Sequence, residues 1–208
     1  AELDAAVGRH VDGALGHADL DLGGAAHRVD DAGELHQHAV AGGLHDAAAM
    51  LLDLEVDQLA PHPDPARSVG AAIEALAGVP FGAWGTLAGV RALTAAIRAA
   101  QVTQLGFSGV MLPVLEDATL AQRNAEGRYT LRDLLAFSAV CGTGLDTIPL
   151  AGDTTPAQIT GVLAEVATLA VALRKPLTAR LLPIPGLAAG DMTAFDFPYF
   201  VNTRVMVL

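Results

Sequence analysis

Apolar positions fall into a regular alternation of helix-like and strand-like segments only from about residue 64 onward. Asp64 followed by Pro65 is a helix start, with Val69, Ile73 and Leu76 as its apolar stripe and Gly78 and Pro80 as its stop. A second helix is predicted from Thr86, with Leu87, Val90, Leu93 and Ile97 on one face and Arg91 and Arg98 on another. LGFSGVMLPVL, residues 105–115, reads as a buried strand or a pair of extended pieces, after which Asp117 caps a short helix that stops at Gly127. Thr130 and Asp133 have capping-box spacing and open a helix through Leu134, Leu135 and Val140, with Gly142 as its stop. LDTIPL is a short strand. Thr155, Pro156 and Gln158 then start a helix whose buried side is Ile159, Val162, Leu163, Val166, Leu169, Ala170 and Leu173, and LTARLLPI, residues 177–184, is a further strand. This order predicts an α/β fold with parallel strands.

The preceding stretch is different in kind. Residues 1–62 use eleven amino-acid types, lack Ser, Thr, Asn, Ile, Lys and every aromatic, and hold all seven histidines. They also carry twelve acidic and two basic side chains, against eleven and ten in the remainder of a chain with formal charge −11. Small side chains bury little area per residue against their ordering entropy, so residues 1–56 are expected to be a compositionally biased, low-complexity segment of doubtful structure. Its restricted alphabet also fits a frame-shifted reading of a GC-rich gene. His36, His38 and His45 suggest a metal set, but a spacing of two puts His36 and His38 on different helix faces, and no Cys supports zinc.

Composition removes several partners. One lysine and a negative balance argue against nucleic acid and anionic membrane surfaces, and no uninterrupted run of 18 apolar residues marks a membrane span. The single cysteine, Cys141, excludes an intrachain disulfide, and the chain reads as cytoplasmic.

The strings GFSGVMLPVLED, SAVCGTGLDTIPLAGDTT, KPLTARLLPIPG, AGDMTAFDF and YFVNTRVM, in this order, resemble the C-terminal half of the DUF711 family, related to the UPF0210 proteins, over about residues 57–208. Residues 1–56 carry no such string. The resemblance implies a barrel like that of the pyruvate formate-lyase-type glycyl radical enzymes. Because family members are longer, it implies an incomplete α/β barrel here, with unpartnered strand edges and helix faces and hence self-association. No glycyl radical loop is visible, so no glycyl radical is expected.

In α/β folds working groups collect where strands end. Glu116, Asp117, Asp146, Asp153, Asp191 and Asp196 stand in such places and would suit Mg²⁺ or Ca²⁺, or else serve helix N-termini and pair with Arg123, Arg180 or Arg204. Cys141 is either a reactive thiol or a buried structural one, with no histidine after residue 62 to activate it. Arg180 interrupts an apolar strand and needs a partner, either Asp146 or a bound anion. Gly142, Thr143 and Gly144 would bring backbone amides to that anion. Asp153 adds a carboxylate, and Gly85 and Thr86 offer a second amide turn that turn formation alone also explains. Two classes stay open: an enzyme acting on a small anionic metabolite, with Cys141, Asp146, Glu116 and Asp117 as catalytic groups, and a non-catalytic ligand-binding or regulatory barrel.

Overall fold

The computed structural model describes residues 61–99 and 109–208. The biased segment, every histidine except His62, and residues 105–108 of the first predicted strand lie outside them. The elements are α1 (Val69–Ala77), α2 (Thr86–Ala99), α3 (Ala118–Ala125), α4 (Leu131–Phe137), β1 (Gly144–Ala151), α5 (Pro156–Leu173) and β2 (Thr178–Ile184). Strands β1 and β2 pair in parallel, and α5 is the crossover between them. The predicted mixed helix and strand order is present, with a two-stranded sheet among the described residues.

Local signals set most boundaries. Thr130 with Asp133 and Thr155 with Gln158 form complete capping boxes at α4 and α5. The helix expected from Asp64 is broken in two, because Asp64 caps only a 3-10 turn, Pro65–Arg67, and Ser68 in an extended conformation caps α1. Helix α4 ends at Phe137, well before Gly142, where the Ser138 hydroxyl donates to the Leu134 carbonyl at 2.8 Å. Of the predicted 105–115 strand, the described part runs beside β1 as extended chain joined by one bridge, Pro113 to Asp146.

The core lies between the helices and β1. Ile73, Phe81, Leu93, Leu120, Leu134, Leu145, Ile148 and Leu150 are fully buried. Phe81 stands edge-on to Tyr129 and Phe137 at 5.2 and 5.4 Å. Burial raises the Tyr129 pKa well above its ordinary value, with the Asp117 charge adding to it, and the hydroxyl donates to the Leu120 carbonyl at 2.8 Å.

Helix α5 corrects the sequence reading. Of the seven residues predicted to form its buried side only Val166 is buried, and Leu163 and Leu173 are exposed. An amphipathic pattern states which face seeks a partner; the partner has to be supplied by other chain. This helix is also, by length and composition alone, long and apolar enough to cross a membrane, with a mean hydropathy of 1.5. Gln158 and Glu165 interrupt it, so it is not an unbroken apolar run.

Helices α1 and α3 are tied by Arg123, which donates through Nε and Nη2 to the two Glu74 oxygens at 2.6 and 3.0 Å. That hydrogen bond, with a further one from the Phe81 amide and against the opposing effect of burial, holds the Glu74 carboxyl below its ordinary value of 4.5. A carboxyl depressed in the folded state contributes stability that is complete above its unfolded pKa and is lost as pH falls through the folded one. Glu74→Gln is therefore expected to cost about 1 kcal/mol at neutral pH. Urea midpoints should converge with those of the parent as pH drops below about 4.5. A gap that persists at about pH 2 contradicts this assignment.

Candidate functional site

Arg180 is the place where the fold gathers charge. It sits in β2 opposite an irregularity in β1, where the register passes from Leu145↔Ala179 to Ile148↔Leu181. Asp146 and Thr147 therefore face a single residue, and this bulge lets Leu145 and Ile148 both enter the core. Thr147 takes a φ of +43°, rare for a β-branched residue, and its hydroxyl accepts from the Leu115 amide at 3.3 Å. The Arg180 Nε donates to Asp146 Oδ1, while Nη1 and Nη2 each face one Glu116 oxygen at 3.1 and 3.3 Å. The hydrogen bond with Asp146, and more weakly the charges around it, raise the Arg180 pKa above its ordinary value.

The two carboxylates are not equivalent. The Asp146 side chain is 2% exposed, against 28% for Glu116 and 49% for Arg180. The other Asp146 oxygen, Oδ2, is buried with no hydrogen-bond partner. A buried carboxylate oxygen without a donor is costly, and it marks this corner as chemically incomplete.

The remaining predicted residues are used by the fold itself. Asp117, fully buried, serves two helix N-termini: it caps α3 through Thr119 N and Leu120 N, both at 3.1 Å, and accepts from Val69 N at 2.8 Å and from the Ser68 hydroxyl at 2.7 Å. Cys141 is fully buried, and its sulfur accepts from the Thr143 and Gly144 amides at 3.4 and 3.3 Å. Gly142 donates to the Val110 carbonyl at 2.6 Å. The turn at Gly142, Thr143 and Gly144 thus spends its amides on its own chain, which corrects the expectation that it faces an anion. Its glycines answer to backbone approach, since a Cβ on Gly142 would lie 2.6 Å from the Gly109 carbonyl carbon and one on Gly144 would strike the Thr178 backbone.

Thr86 is likewise buried and accepts from the Gly82 amide at 3.0 Å, while Gly85, at φ +114°, closes that turn. Asp153 is exposed after β1, and the α5 N-cap belongs to Thr155. Asp191 binds the Ala188 amide at 2.8 Å within its own turn, and Asp196 is exposed. Among the described residues no three His, Cys, Asp or Glu side chains gather as metal ligands would.

Two features escaped the sequence reading. Lys175 donates to the Ser138 carbonyl at 2.6 Å and to that of Cys141, so it closes the turns after α4, and burial lowers its pKa. Phe195, Phe197, Tyr199 and Phe200 form an edge-to-face cluster in which Phe197 and Tyr199 are exposed. The same loop is anchored one residue from Glu116, where Val201 N donates to the Leu115 carbonyl at 2.7 Å. The signal was available, because AFDFPYF holds four of the chain's nine aromatics.

The family model described as "Uncharacterised ACR (DUF711)" matches residues 6–196. The chain belongs to this family. The DUF711 match starts at residue 6, so it takes in most of residues 1–56, which the quoted strings had left out. Among curated relatives, a UPF0210 protein of Pyrobaculum arsenaticum is 40% identical over 171 residues, which cover 80% of this chain and 37% of the relative. One from Desulforudis audaxviator is 34% identical, covering 91% and 42%, and one from Lacticaseibacillus paracasei is 33% identical, covering 75% and 35%. The chain thus spans less than half the length of these UPF0210 relatives. No solved structure matches it significantly.

Proposed function

We propose that this part of the DUF711 protein carries a small-molecule site in which Arg180 recognises an anionic group and Asp146 accepts a hydrogen bond beside it. The observation that carries the reading is the unpartnered, buried Asp146 Oδ2 next to a guanidinium held at a strained bulge. The parallel βαβ unit here would be one part of a pyruvate formate-lyase-like barrel. The same pair of groups serves an enzyme acting on a small anionic metabolite or a non-catalytic ligand-binding barrel, since both need Arg180 to recognise the anion. Cys141 has no part in it, because its buried sulfur is already taken by the Thr143 and Gly144 amides.

The test is thermal melting of the 208-residue chain against a panel of small carboxylates and inorganic phosphate, at constant ionic strength. A saturable rise in melting temperature with at least one of them is expected. No rise with any of them contradicts the proposal.

A further inference from the structure

Glu116 and Asp146 hold the same guanidinium in different ways, and the difference specifies a ligand. Asp146 is the buried partner and fixes Nε. Glu116 occupies the outer fork, one oxygen on each terminal nitrogen, and is partly solvent-exposed. Two parallel N–H to oxygen contacts are how arginine takes up a free carboxylate. A partly exposed ion pair contributes little and exchanges readily.

Resting on the small-molecule reading above, we infer that Glu116 is an internal stand-in for the ligand, which is a small carboxylic acid carrying a hydroxyl or ammonium donor on the adjacent carbon. The ligand carboxylate replaces the Glu116 carboxylate on the Arg180 fork, so the charge around the guanidinium is unchanged by the exchange. The neighbouring hydroxyl or ammonium donates to Asp146 Oδ2, which otherwise has no partner. One buried acceptor without a donor, beside a fork that Glu116 occupies, matches a molecule with one donor beside one carboxylate, whose donor reaches Oδ2 as Glu116 leaves. A simple carboxylate fills the fork and leaves Oδ2 as it was, so it gains less.

Isothermal titration of the full chain with lactate, alanine and propionate tests this, together with the variants Glu116→Gln and Asp146→Asn. Lactate or alanine is expected to bind about ten- to a hundredfold more tightly than propionate, the span typical when a built-in acceptor is satisfied or left open. Whichever of the two binds more tightly identifies the donor as hydroxyl or ammonium. Glu116→Gln, which weakens the internal competitor, is expected to tighten binding a few-fold. Asp146→Asn is expected to remove the preference over propionate; should that variant not fold, the ratio in the parent chain decides. Equal binding of all three compounds overturns this inference and leaves carboxylate recognition standing. No binding of any of them to either the parent or Glu116→Gln overturns this inference, and the small-molecule reading falls with it when inorganic phosphate also fails to bind.

Discussion

Replacing Asp117 by alanine is expected to lower stability by about 3 to 5 kcal/mol. The carboxylate is fully buried and is shared by two helix N-termini, those of α1 and α3. Both helices direct backbone amides and the positive ends of their dipoles at it, so its oxygens are satisfied by the chain's own amides. Removing an ordinary N-cap costs about 1 kcal/mol. Here the Val69 amide and the Ser68 hydroxyl also lose an acceptor in the interior, each at roughly 1 to 3 kcal/mol. Ser68 further donates to Thr119 at 2.7 Å, so part of the loss is recovered locally. The measurement is the urea midpoint of the variant beside the parent. A change under about 1 kcal/mol would show that solvent or rearrangement replaces the carboxylate.

Arg180→Leu is the second large effect, expected to cost about 3 kcal/mol or more, because it leaves Asp146 buried with neither oxygen paired. The double variant Arg180→Leu with Asp146→Val is expected to regain most of that loss, since an apolar pair in a strand interior carries no desolvation penalty. The same single variant also addresses function, because the stabilisation by small carboxylates should disappear with it. A large loss of stability with ligand affinity unchanged would end the functional claim for Arg180 and leave it a purely structural cation.

How much was legible in the sequence depends on the range of each interaction. Arg180 was recognised as a charge in an apolar strand that needs a partner, and Asp146 was named as one candidate. Glu116, 64 residues away, was named among the carboxylates at strand ends, but no local pattern singles it out as the second partner of Arg180. The bulge at Asp146 and Thr147 is equally silent, because strand periodicity carries no notation for an extra residue. For Asp117 the cap on α3 was readable from its own flank, whereas the bond to Val69, 48 residues earlier, was not. The glycines of CGTG were read as room for a ligand, and the structure fills that room with the backbones of Gly109 and Thr178.

By itself the sequence determined the features that act within three or four residues: the capping boxes at Thr130 and Thr155, the stop at Gly78, the strands around LDTIPL and LTARLLPI, and the order that makes a parallel βαβ unit. It also carried enough strings to indicate the family. The tertiary structure alone decided that Ser68 divides the first helix, that α5 leaves its apolar side half-buried or exposed except at Val166, and that Glu116, Asp146 and Arg180 meet. The physical reason is one of range. Capping and periodicity are satisfied by neighbours in the chain, while the partner of a buried charge, or of an apolar face, is whatever the fold brings to it.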